Sequence, residues 1–82
     1  MQDPVVIVLP AEDAWQVRVE GGDRLQAFDA RYDALECAHL WAQAHRPSLV
    51  RVIAVTGAVE DEWAYGAYKG IRRVGPPQRV LQ

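Results

Sequence analysis

Trp15-Gln16-Val17-Arg18-Val19-Glu20-Gly21-Gly22-Asp23-Arg24-Leu25-Gln26-Ala27-Phe28 is the stretch that decides how this chain folds. Trp15, Val17 and Val19 alternate with Gln16, Arg18 and Glu20. A period of two puts the first set on one face of a strand and the second on the other. Gly21-Gly22 then marks a tight hairpin, because glycine accepts positive φ without strain. Residues 24–28 form the returning strand, in one of two registers. If the loop is the two glycines alone, Trp15 faces Phe28 and both rings point to the core. If Asp23 joins the loop, Leu25 and Ala27 take the core face and Phe28 turns away.

The flanking segments extend the pattern. Val5 to Leu9 is β-branched and lies between Pro4 and Pro10, so it reads as a short strand. Asp29 is placed to cap a helix that runs to about His45, where Arg46-Pro47 ends it. Ala34, Leu35, Ala38, Trp41, Ala42 and His45 share one face of that helix, and Glu36, His39 and Gln43 the opposite one. Leu40 falls outside the apolar arc and is expected to be exposed. Leu49 to Val55 is a fourth strand, Thr56-Gly57-Ala58 a turn, and Val59 to about Tyr68 a fifth strand with Trp63, Tyr65 and Ala67 on one face. A short helix over 59–65 is the alternative there. The predicted fold is α+β, with elements in the order βββαββ. A small antiparallel sheet carries one amphipathic helix on one face. Residues 1–68 make the single domain, and 69–82 read as a basic, mobile tail.

Composition narrows the function. At 82 residues the chain is too short for two large domains, a doubly wound nucleotide-binding fold or a barrel enzyme. Half of its residues are hydrophobic and the net charge is -2, which excludes a disordered chain. Cys37 is the only cysteine, so no intramolecular disulfide forms, as befits a reducing cytoplasm. A secretory leader is not expected, since the first apolar run has no basic residue before it. No run approaches the roughly 20 apolar residues that span a membrane. Charge is unevenly spread. Residues 1–45 carry eight acids and three arginines, whereas 46–82 carry six bases and three acids. A basic C-terminal end can steer a chain toward an anionic partner.

Trp15-Gln16-Val17, Gly21-Gly22, Phe28 with Ala34, Gly57-Ala58-Val59 and Tyr65-Gly66 together resemble a family of short, uncharacterised bacterial proteins known as a domain of unknown function. The likeness spans 52 of the 82 residues, from Trp15 to Gly66. It implies a fold and carries no catalytic residue, because none is established for that family. Asp29-Ala30-Arg31 departs from the Thr and Lys that such proteins often carry before the helix. Residues 15–45 also look like the three-stranded DNA-binding domains of tyrosine-recombinase integrases. That likeness implies a sheet face presenting Gln16, Arg18 and Gln26, with Glu20 opposing it. One arginine on that face is little for phosphate neutralisation.

Catalytic patterns are thin. Ser48 and Thr56 are the only hydroxyl nucleophiles of their kind, and Ser48 reads as a loop residue at a strand start. Cys37 and His39 lie two apart on a helix, about 200° around it, and reads as a small buried hydrophobe in the case of Cys37. Glu36 and His39 share a helix face, but such a pair needs further ligands from other helices. His45 reads as a half-buried residue near the helix C-terminus. Glu60 and Glu62 fall on one strand face, as a solubilising edge. Trp15, Trp41 and Trp63 read as core. Tyr65, Tyr68, Lys69, Arg72 and Arg73 form the one basic-aromatic cluster that suits nucleic acid.

The expectation is a non-catalytic protein-interaction module without cofactor, metal or membrane. It would pair through a sheet edge, through exposed Tyr32 and Leu40, or with itself as a homodimer. The alternative is a nucleic-acid-binding accessory protein using residues 65–73. A phage or mobile-element inhibitor of a host complex is a further one.

Overall fold

The structure, a computed structural model, describes residues 3–22 and 24–75. The elements are β1 (Val5–Ala11), β2 (Ala14–Val19), β3 (Arg24–Phe28), α1 (Arg31–Ala44), β4 (Ser48–Ile53), β5 (Val59–Tyr65) and β6 (Ile71–Arg73). The α+β class and the βββαββ order stand, with β6 as an addition. The six strands form one sheet in the order β3-β2-β1-β4-β5-β6.

The sheet is not wholly antiparallel. β1 and β4 pair in parallel, with Val6 opposite Val50 and Val8 opposite Val52. The physical reason is α1. It follows the β1-β2-β3 meander, crosses over one face, and delivers β4 beside β1, where the helix makes the long connection that a parallel pair requires. The other four pairings are antiparallel.

The core lies between the sheet and α1. Val6, Val8, Val17, Val50 and Val52 meet Ala34, Ala38 and Ala42, all fully buried. Alanines at i, i+4 and i+8 form a smooth stripe, so the helix can sit close to the valine face. By alternation Ile7, Gln16, Arg18, Leu49 and Arg51 occupy the other face, which no helix covers among the described residues.

The β2–β3 register places Trp15 opposite Phe28, with an irregularity that sets Arg18 opposite Arg24. Leu25 is the extra residue and is exposed. The first of the two predicted registers is therefore the one formed around Trp15. Helix capping differs from expectation. The N-cap is Ala30, without a side-chain cap bond, and Asp29 precedes it. The helix C-terminus is held by Ser48, whose hydroxyl donates to the Ala42 carbonyl at 2.8 Å. Ser48 is thus a buried residue of β4 and not a loop residue.

The segment 59–65 is a strand throughout, but it ends at Tyr65 and not at Tyr68. Gly66 N–H donates to the Gly70 carbonyl at 3.1 Å, closing a turn that requires Gly70 at φ +100°. Ile71–Arg73 then pairs with β5, so part of the predicted tail belongs to the sheet. Val74 and Gly75 N–H groups both donate to the Glu62 carbonyl. Residues 76–82 of that predicted tail lie outside the described residues.

Candidate binding groove

β3 is an edge strand, and the register reveals which of its backbone groups face outward. Pro10 has no N–H and sits opposite Trp15, so that pair is not hydrogen-bonded. The alternation agrees with the Glu20 N–H, which donates to the Val5 carbonyl at 2.8 Å. Gln16 and Arg18 therefore bond toward β1, while Trp15 and Val17 bond toward β3. Phe28 and Gln26 answer them, which leaves the N–H and C=O of Ala27 pointing away from the sheet. No described strand takes up that edge.

Beside this edge lies a groove of about 430 Å³ lined by Gln26, Phe28, Asp33, Glu36, Cys37 and Leu40. Phe28 and Cys37 pack against the core from its margin, so they form an apolar floor. Leu40, 63% exposed, stands on the helix side. Asp33 and Glu36 make the rim, and no ion pair reaches either one among the described residues. Burial pushes the Cys37 thiol up, so it is a neutral lining group at neutral pH. Asp33, Cys37 and Leu40 recur at helical spacing along the flank of the alanine stripe. That spacing was a signal in the sequence, but only the placement of β3 beside it makes a groove.

The five residues proposed for nucleic acid do not form one surface. Tyr65 is 4% exposed and offers no ring face to a base. Its hydroxyl lies 2.6 Å from His39 Nδ1, and the Arg46 guanidinium sits 4.9 Å from its ring centroid. Arg46 also donates to the Gly66 and Gly70 carbonyls, both at 3.0 Å. Arg73 is held by Asp61 at 2.7 Å. This contact keeps the Asp61 carboxyl below the usual carboxylate range, with the Arg73 hydrogen bond as the main cause. Tyr68, 94% exposed, and Lys69 and Arg72 remain available. Lys69 and Arg72 line an open cleft that Asp3 also borders.

The other candidates are separated as well. Glu36 lies on the groove rim, whereas His39 turns toward β5, where its ring stands edge-on to Trp63 at 4.7 Å. His39 is therefore half-buried and not solvated as its helix position suggested. The close helix–sheet approach brings residues 100° from the alanine stripe down to the sheet. Burial lowers the His39 pKa, against an opposing pull from Asp61. His45 is exposed, not half-buried; it stacks on Trp41 at 4.0 Å and its Nδ1 donates to the Trp41 carbonyl. The β4–β5 irregularity parts Glu60 from Glu62. Glu60 reaches Arg31 at the start of α1, and Glu62 takes both Nε and Nη2 of Arg51. No three potential metal ligands gather among the described residues. Gln26 lies opposite Val17 on the helix side, so it does not share a face with Gln16 and Arg18 as the integrase likeness implied.

Tyr32 is 74% exposed on the helix. No helix among the described residues is long and apolar enough to cross a membrane. No curated protein and no solved structure matches the chain. A family model does match, over residues 6–65, and so takes in β1 as well as the Trp15 to Tyr65 pattern. On that match the chain belongs to DUF2188, a family described as uncharacterized protein conserved in bacteria.

Proposed function

We propose that this chain is a non-catalytic protein-interaction module that takes an extended segment of another protein along β3. The carrying observation is the outward-facing Ala27 N–H and C=O beside the Phe28–Cys37–Leu40 groove. A free strand edge supplies main-chain hydrogen bonds, and a neighbouring groove takes alternate side chains of the added strand. The test is selection of displayed random peptides on the full chain, followed by mapping of the enriched peptides through amide chemical shifts. Shifts confined to residues 25–28 and 33–40 support the module. Enrichment of nothing, or shifts elsewhere, removes it.

Nucleic-acid binding is the second reading. It rests on exposed Tyr68 with Lys69 and Arg72 near the β5–β6 turn. Phosphate binding weakens steeply with salt, so a titration of single-stranded DNA at low and physiological salt separates this reading from edge pairing.

A further inference from the structure

We infer that the segment bound at the β3–α1 groove is a strand that carries an apolar and a basic residue two positions apart. This inference rests on the module proposed above and names its ligand class. Three observations converge on it. First, a strand added beside β3 hydrogen-bonds to Ala27, and its residues opposite Gln26 and Phe28 turn their side chains to the helix face. Two side chains spaced i and i+2 therefore enter the groove, while the residue between them points to the other face of the sheet.

Second, the groove offers two different environments to those side chains. Its floor is Phe28 and Cys37 with Leu40 above, which suits one branched apolar side chain. Its rim is Asp33 and Glu36. Third, no cation among the described residues pairs with these acids. Arg31, the nearest base along the helix, is engaged by Glu60 at 2.7 Å and lies over the Trp15 ring at 5.7 Å. Arg24 lies opposite Arg18, on the uncovered face of the sheet. A lysine or arginine on the incoming strand would complete the rim, and an acidic strand would be repelled by it.

The experiment titrates the isotopically labelled full chain with a synthetic six-residue peptide of threonines that has leucine at its second position and lysine at its fourth, so that both enter the same face. Its counterpart has glutamate in place of the lysine. The lysine peptide is expected to move the amides of Gln26, Ala27, Phe28, Cys37 and Leu40 and to slow alkylation of Cys37 at least threefold. The glutamate peptide is expected to bind at least tenfold more weakly. In the double variant Asp33→Asn, Glu36→Gln the preference between the two peptides should fall to about twofold or less. Both substitutions are on exposed side chains and keep their size, so the fold is retained, as the unchanged shifts of β4 and β5 would verify. Equal binding of both peptides at the groove overturns the basic preference and leaves the module standing. No shift at the groove with either peptide overturns the inference; failure of the random-peptide selection as well removes the module itself.

Discussion

His39 is a side chain whose position gives the molecule a measurable pH response. Its imidazole is enclosed by Trp63, Tyr65 and the helix, and burial lowers its pKa below that of the unfolded chain. The unfolded state then binds the extra proton first, so stability rises with pH through this group. The contribution is full above the ordinary histidine value of about 6.5 and is lost as pH falls below it. Asp61 acts in a lower window, because its depressed pKa makes its contribution fade only as carboxylates protonate. Urea denaturation at pH 7.5 and 5.5 should show the chain less stable at the lower pH, and His39→Gln should flatten that difference. Tyr65→Phe leaves His39 Nδ1 without its hydroxyl partner and should cost about 1 kcal/mol at neutral pH, measured the same way. None of this was legible from helix periodicity, which set His39 among solvated residues. The angle is right, but the alanine stripe brings the helix close enough for the flank to become interior.

At the scale of elements, α1 and the strand ends carry the predictions. Ser48 supplies a hydroxyl to the Ala42 carbonyl in a buried position, and Ser48→Ala should cost about 1–2 kcal/mol in equilibrium unfolding. Ala38 lies under the valine face with no exposed surface, so Ala38→Leu should cost about 1–3 kcal/mol or more by overpacking. Arg46 ties the helix end to the β5–β6 turn through Gly66 and Gly70. Arg46→Ala should therefore speed hydrogen exchange in β6 and leave β1 unchanged. The alternation of Trp15, Val17 and Val19 made β2 legible, and Pro47 made the end of α1 legible. β6 was not, since the three residues Ile71–Arg73 are too few to carry a period; the strand exists because the Gly66–Gly70 turn folds it onto β5. The helix N-cap was misplaced by one residue because an acid before a helix is a strong local signal, yet here Asp29 makes no cap bond.

The whole molecule has two unlike faces. One face is closed by α1 over the valine core. The other is a sheet face that no helix covers among the described residues, on which Ile7, Leu49 and the Arg51–Glu62 pair lie, with Glu20 a further 3.7 Å contact to Arg51. Which strands would be neighbours was the least legible property, because β1 and β4 are far apart in sequence and their pairing depends on where α1 crosses. The candidate site depended on the same placement. Leu40 was readable as exposed, with Asp33 and Cys37 beside it at helical spacing, but Phe28 joins them only through the placement of β3. Ala27→Pro tests that edge position: it removes only an outward N–H, so stability should change by about 1 kcal/mol or less, while strand addition is blocked.

The most direct test of edge pairing is the exchange rate of the Ala27 amide hydrogen in the full chain, with and without saturating lysine–leucine peptide. Ala27 should exchange quickly in the free chain, between slower Gln26 and Phe28, and become protected when the peptide is bound. An Ala27 amide that is already protected in the free chain, or one that still exchanges freely under bound peptide, would contradict the account.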